Sequence, residues 1–307
     1  MITRRNIRVK IMQTLYSLEA QENQKAGDAQ KILQKHFDHT GALLVYLIYF
    51  LTELARYAET ESLRRSSKHL PTDGDRNVNT KLAGNRLLWE MLEQESFRKM
   101  VKKYKPELID HQDLIKKIFL ELQETEEYNK YISAEGRDKK PEREILEFIF
   151  NDFLLPSESF ESHLEENFPN WSDDSEMMQK LVSGYLNKTG SFNFEEMVSP
   201  DKTSFARGLL TAVLEKKEVT MDLIRPKLKN WDAERIATLD MILMQMGVCE
   251  FLFFETIPPK VTINEYIDLA KEYSTPQSGQ FVNGILDNIH KELVTENKMH
   301  KVNFKAS

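Results

Sequence analysis

Cysteine is almost absent from this sequence, which has only Cys249 in 307 residues. A single thiol excludes an intramolecular disulfide and any zinc site built from paired cysteines, and it suits a reducing cytosol. Glycine and proline are also few, at 11 and 10 residues. Because both residues interrupt regular helices, their scarcity leaves room for long helices and argues against an all-β fold.

Long apolar runs are missing as well. The strongest, ALLVYLIYFL at residues 42–51, is too short to span a bilayer and indicates a buried helix segment. No continuous apolar stretch follows the basic N-terminus, because Gln13, Thr14, Ser17 and Glu19 interrupt it. We therefore expect no membrane span and no secretory leader, while composition alone leaves an organellar presequence open.

The common catalytic motifs are absent too. The sequence has no P-loop, no G-x-G-x-x-G and no H-E-x-x-H. His36 and His39 share a helix-compatible spacing, but no nearby residue completes a metal site. Cys249 lies in the apolar segment GVCEFLF, where a small buried hydrophobic side chain is the simpler interpretation than a catalytic thiol. The sequence therefore predicts no enzyme, no metal and no cofactor.

Apolar residues at helical spacing run along most of the chain. Ile7, Ile11, Leu15 and Leu18 form one face of a first helix, with Thr3 as a plausible N-cap. No region alternates with period two for long enough to predict a strand, so the fold class is all-α. Further helices are predicted over residues 28–37, 40–63, 82–104, 106–122, 142–155, 200–217 and 221–228, from Asp232, over 262–273 behind a Thr262–Glu265 capping box, and from Ser278.

Basic residues are concentrated at the start of the first helix. Arg4, Arg5 and Arg8 lie in its first turns, although the formal net charge of the protein is -7. Cations at a helix N-terminus oppose the helix dipole, so the electrostatics of an isolated helix do not explain them. A solvated helix face and a contact with nucleic-acid phosphates remain as the two explanations.

Several motifs resemble the NusB transcription-antitermination family. The first is RRNIRVKIMQTLYSLE at residues 4–19, an arginine-rich helix followed by a Q-x-L-Y segment. The blocks PPKVTINE and FVNGILD follow in the order of the family's closing helices. The resemblance covers residues 1–37 and 198–295. It implies an all-α bundle of two helical halves, residues 1–197 and 198–295, with a long extra helical segment at about 40–197 and a tail at 296–307.

The resemblance also implies a function and a site. NusB-like proteins bind single-stranded boxA-type RNA together with a small-subunit ribosomal protein acting as NusE. The complex modifies RNA polymerase, which the protein contacts only indirectly, so that transcription of ribosomal RNA operons continues; a cytoplasmic location follows. The RNA-binding residues implied are Arg4, Arg5, Arg8, Gln277, Ser278, Gln280 and Phe281. The partner-binding residues implied are Tyr16, Asp240 and Glu250.

Two positions depart from the pattern. Gln280 and Gln245 stand where the family often has basic residues. This favours an alternative, a helical protein-interaction scaffold of the same fold with weak or lost RNA binding. A third possibility, an RNA-modifying enzyme with a NusB-like domain, requires a nucleotide-binding α/β pattern that the middle segment lacks.

Overall fold

A computed structural model describes residues 2–20, 26–70, 72–73, 78–189, 192–228 and 236–302. All regular structure in these ranges is helical, which confirms the all-α class. The chain divides into two compact units. We call residues 38–197 the central unit, and residues 2–37 together with the chain from residue 198 onward the terminal unit.

The central unit contains most of the helices. The helix α2 (Ala29–Ser66) enters it from the terminal unit. The helices that follow are α3 (Arg86–Glu93), α4 (Glu95–Tyr104), α5 (Gln112–Leu122), α6 (Glu126–Ser133), α7 (Lys139–Phe148) with a π-helical continuation (Ile149–Leu154), α8 (Glu158–Asn167) and α9 (Trp171–Asn187). Short 3-10 helices lie at Pro106–Leu108 and Phe194–Glu196.

Aromatic side chains build much of the core of the central unit. Tyr46 and Phe50 on α2 pack with Phe168 and Phe160, at ring-centroid distances of 5.0 and 4.8 Å. The apolar run at residues 42–51 is buried in this core, apart from the half-buried Ala42 and Tyr49. Helix α2 is long and apolar enough to cross a membrane, but 72% of its most apolar window is buried inside the protein. Its apolar character is therefore accounted for by packing.

The terminal unit is built from α1 (Arg4–Ala20) and the C-terminal helices. These are α10 (Pro200–Glu215), α11 (Lys217–Ile224) with a 3-10 continuation (Arg225–Leu228), α12 (Thr238–Phe253), α13 (Pro259–Tyr273) and α14 (Ser278–Thr295). Helix α12 is the central helix of this unit, with an unbroken buried run at residues 242–251. Gly247 permits the close packing, because a Cβ there would lie 2.9 Å from Leu286 Cδ2 on α14.

The position of α1 differs from the expected division after residue 197. Helix α1 packs against α10 and α12 and so belongs to the terminal unit. The reason is its apolar face, because Ile7, Ile11 and Leu15 are all buried there. The chain passes from the central unit to the terminal unit near residue 197, and residues 2–37 belong to the terminal unit.

Helix boundaries differ from the predicted ones where tertiary contacts decide. Residues 28–37 and 40–63 were expected as two helices, but α2 is continuous through Gly41, where a Cβ would meet Tyr104 Oη at 2.5 Å. Conversely, the helix expected over 82–104 is interrupted at Gln94. That residue is extended, and its side chain accepts a hydrogen bond from Tyr185 Oη at 2.7 Å.

The predicted capping box at Thr262 is wrong. Helix α13 begins earlier, at Pro259, with Pro258 at the N-cap. Thr262 is buried and donates to Glu250 Oε2 at 3.1 Å. Proline at the first helical position suits this start, because its missing N–H has no intrahelical partner there. Ser199 and Ser278 begin their helices as predicted, and Asp232 lies outside the described residues.

Candidate nucleic-acid interface

The start of α1 presents one arginine fully to solvent. The Thr3 side chain caps this helix, since the Asn6 N–H donates to Thr3 Oγ1 at 3.3 Å. Arg4 follows directly and is exposed. Its guanidinium carbon lies 5.5 Å from the ring centroid of Phe205 on α10, within cation–π range. The Arg4 side chain is therefore oriented by an aromatic ring while its charge stays accessible.

Arg5 is half-buried and surrounded by carboxylates of α13. Its NH2 group donates to Glu272 Oε2 at 2.9 Å, and NH1 lies 3.9 Å from Asp268 Oδ2 and 4.0 Å from Glu265 Oε2. We call Glu265, Asp268 and Glu272 the acidic row. Their spacing of three and four residues places them on one face of α13, toward α1.

Arg8 has a different environment. Its guanidinium forms a two-pronged ion pair with Glu250 on α12, with Nε–Oε1 at 2.7 Å and NH2–Oε2 at 3.0 Å. The exposed fractions are only 2% for Arg8 and 0% for Glu250. Burial alone would lower the pKa of Arg8, but the hydrogen bonds and charge of Glu250 outweigh it and raise that pKa. Arg8 is therefore a fixed internal cation.

The carboxylate of Glu250 accepts hydrogen bonds from three side chains. Besides Arg8, it accepts hydrogen bonds from Thr262 Oγ1 at 3.1 Å and Tyr266 Oη at 2.7 Å. Burial and the Glu250 charge raise the pKa of Tyr266 well above its usual value, so the phenol stays protonated and donates. These contacts correct two expectations: Arg8 and Glu250 tie α1 to α12 and α13 inside the unit, and neither side chain is accessible to RNA or to a partner protein.

Cys249 lies next to this network on α12. It is fully buried, and burial followed by the Glu250 charge raises the pKa of its thiol to about 12. A thiol in that state is a poor nucleophile. Its environment agrees with the interpretation as a small buried side chain.

The loop between α13 and α14 and the first turn of α14 contain the second group of predicted RNA-binding residues. Gln277 and Gln280 are exposed, Phe281 is half-buried, and Ser278 is buried as the first residue of α14. Ser278 Oγ donates to Asp240 Oδ2 at 2.7 Å and also lies 2.8 Å from Thr275 Oγ1. Ser278 thus fixes the end of the loop from inside, while Gln277 and Gln280 face solvent.

The predicted partner-binding residues are placed differently from one another. Tyr16 is exposed on α1. Asp240 is buried in the first turn of α12, where it accepts the Ser278 hydrogen bond, and its Oδ1 has no hydrogen-bond partner among the described residues. Through its hydrogen bond with Ser278, Asp240 therefore holds the end of the 274–277 loop against the start of α12.

The ion pair between Arg5 and Glu272 connects the start of α1 to the end of α13. Glu272 lies near the end of α13, five positions before Gln277. Arg5 on α1 is thus in contact with the C-terminal end of α13, which leads into the loop before α14. The acidic row was missed in the sequence, although its spacing in NEYIDLAKEY is a readable signal. Within the part of the chain that is described, no group of three His, Cys, Asp or Glu side chains could hold a metal ion.

Comparison with known proteins identifies the family of the chain. The model of the NusB family matches residues 170–291. The chain is 40% identical over 106 residues to "Transcription antitermination protein NusB" of Thermodesulfovibrio yellowstonii, covering 34% of this chain and 70% of the relative. The chain belongs to the NusB family.

Other NusB relatives match over a similar extent. The protein of the same name from Salinibacter ruber is 40% identical over 102 residues, which is 33% of this chain and 64% of the relative. The solved structure of T. maritima NusB is 32% identical and covers 38% of this chain and 86% of its own, with a TM-score of 0.31. This NusB-family chain thus spans about two thirds of the length of the relatives it matches, and most of its central unit lies outside the match.

Proposed function

We propose that this chain is a transcription antitermination factor that binds single-stranded boxA-type RNA together with a small-subunit ribosomal protein acting as NusE. The relatives named above carry the antitermination description. The observation that carries the RNA contact is the exposure of Arg4 and part of Arg5 on α1, of Gln277 before α14 and of Gln280 in the first turn of α14. In this proposal the protein performs no catalysis.

The proposed contacts have separate chemical roles. Arg4 and Arg5 contact phosphates, which gives affinity but no sequence preference. Gln277 and Gln280 can read base edges, because a carboxamide both donates and accepts hydrogen bonds. Phe281, in the first turn of α14, can stack on an unpaired base. Exposed Tyr16 is proposed to contact the ribosomal protein.

Binding of a fluorescent boxA-type RNA tests this proposal. Arg4→Ala and Arg5→Ala should each weaken binding about fivefold and reduce the salt slope by about 0.7, because each removes one contact to a single-strand phosphate. The measurement is anisotropy at two salt concentrations, with and without the ribosomal protein. Arg86→Ala is the matched control, because Arg86 is an exposed arginine of α3, paired with Glu90. Unchanged affinity and slope in both variants would exclude this role for the arginines.

A protein-interaction scaffold remains the second candidate. Arg8 is withdrawn into the core, and Arg5 is partly neutralised by the acidic row. If the ribosomal protein binds without RNA and the two arginine variants leave that binding intact, the scaffold function replaces the first proposal.

A further inference from the structure

The central unit contains a half-enclosed cavity of about 470 Å³ that the antitermination role does not use. Its lining comes from one face of α2, from the Pro106–Leu108 turn and from the start of α5. On α2, Tyr49, Glu53, Arg56 and Tyr57 line it at helical spacing. The size is within the range of small-molecule sites.

Negative charge predominates in this cavity. Glu53, Glu59 and Glu107 line it against a single cation, Arg56, whose NH1 pairs with Glu53 Oε1 at 3.0 Å. Neither Glu59 nor Glu107 forms an ion pair with another described residue. Burial, followed by the charges of Glu53 and Glu107, raises the pKa of Tyr49 despite the opposite effect of Arg56. The lining of the cavity therefore has two more carboxylates than guanidinium groups.

An unsatisfied buried nitrogen lines the same cavity. His111 is 8% exposed and precedes α5 as its N-cap, but its side chain makes no capping hydrogen bond. Its Nδ1 atom has no hydrogen-bond partner among the described residues. The ring is held edge-on against Tyr46, Tyr49 and Phe50, with centroid distances of 6.0, 5.9 and 5.9 Å. A buried nitrogen without a partner costs free energy unless a ligand or water satisfies it.

The excess of carboxylates, the tyrosine rings and Nδ1 of His111, which lacks a hydrogen-bond partner in the described ranges, all favour the same kind of ligand. Carboxylates in excess attract a cation, tyrosine rings favour a cation at their faces, and a neutral imidazole nitrogen accepts a hydrogen bond. A guanidinium or ammonium group offers positive charge and only donors. We propose that this cavity binds a guanidinium or ammonium group, carried either by a small organic cation or by a basic side chain of a peptide.

Ligand-observed NMR on the full chain tests the site with two probes of the same shape. Methylguanidinium should bind, and the uncharged N-methylurea should bind at least about tenfold more weakly, because charge-assisted hydrogen bonds to the carboxylates are lost. Acetyl-Gly-Arg-Gly-amide distinguishes the two sources. Tighter binding of the peptide than of methylguanidinium supports a basic side chain, and equal or weaker binding supports a free cation.

Two variants assign the binding to this cavity. Glu107→Gln and Glu53→Gln should each weaken methylguanidinium binding about tenfold, whereas Glu127→Gln on α6, which does not line the cavity, should leave it unchanged. Glu107 is exposed in a 3-10 turn, so its variant is expected to fold. The proposal is overturned if both probes bind equally, if neither binds at about 10 mM, or if Glu107→Gln binds as the parent does.

Discussion

Arg5 is a proposed RNA-binding residue that also forms a partly exposed ion pair within the terminal unit. Its guanidinium is in contact with Glu272 and close to Asp268 and Glu265, so the proposed contact with an RNA phosphate requires competition with the acidic row. Exposed ion pairs contribute only about 0.2–1 kcal/mol, so the competition is modest and reversible. Under the proposed function, the acidic row therefore limits RNA affinity without abolishing it.

Glu272→Gln is expected to raise RNA affinity. The substitution removes the closest carboxylate from Arg5 and reduces repulsion of the RNA backbone, so we expect binding about threefold tighter at low salt and a smaller gain at high salt. Anisotropy titrations at two salt concentrations provide the measurement. Glu218→Gln on α11, an exposed carboxylate near Arg225, serves as control. A loss of affinity in Glu272→Gln would mean that the ion pair orients Arg5 for binding.

Arg4 and Arg8 show the limit of sequence patterns at this scale. Their spacing of four residues predicts a common helix face, and α1 does form over both. Arg8 is withdrawn from solvent by its ion pair with Glu250, which lies 242 positions away in the sequence. Helical periodicity carries no information on that distant partner, so exposed Arg4 was predictable as a surface cation and buried Arg8 was not.

Single elements were predictable where local signals dominate. The start of α10 at Ser199-Pro200 and the buried stripe of α14 follow from capping chemistry and spacing. Helix α2 was predicted as two helices, over residues 28–37 and 40–63. In the structure Asp38 pairs with Lys103 at 2.8 Å, and Thr40 Oγ1 donates to Asp174 at 2.8 Å. These tertiary contacts stabilise the continuous helix.

The C-terminal end of α2 should make stability depend on acid. Glu61 is buried and accepts hydrogen bonds from Arg64 and Arg65, each at 2.7 Å. The Arg64 hydrogen bonds outweigh burial and lower the pKa of Glu61 from 4.5 to about 2. The folded state therefore gains stability from ionised Glu61 that is complete above pH 4.5 and is lost as the pH falls to 2.

Denaturant unfolding of Glu61→Gln between pH 7 and pH 3 checks this pH dependence. At neutral pH the variant should be less stable by about 2 kcal/mol, allowing for screening of the partly exposed arginines. The difference should shrink as the pH falls below 4.5, the ordinary pKa of a glutamate. Glu59→Gln, two residues earlier and without an ion pair, should show little of either effect. A difference that stays constant with pH would contradict the lowered pKa.

At the scale of the whole molecule, the chain forms two compact units with separate cores. The terminal unit contains the family match from residue 198 onward and the candidate RNA-binding residues. The central unit contains the aromatic core and the cavity that is proposed to bind a cation. Units with their own cores can unfold independently, and a chain of this kind need not unfold in a single two-state step. We therefore expect two calorimetric transitions, and each should respond to its own ion-pair network.

Glu250→Gln and Glu61→Gln assign these transitions. Glu250→Gln removes the two-pronged partner of buried Arg8 and leaves it only the ion pair of its NH1 with Glu265 Oε2 at 3.3 Å. Because that partner is partly exposed, we expect a cost of about 3 kcal/mol, at the low end for a broken buried pair, and one transition should fall by about 6 °C. Glu61→Gln should lower only the other transition, by about 4 °C. The double variant should show both shifts at full size, because the two networks lie in different units. A single transition lowered by either substitution would show that the two units unfold together, so that the stability of the central unit would also affect the proposed RNA binding by the terminal unit.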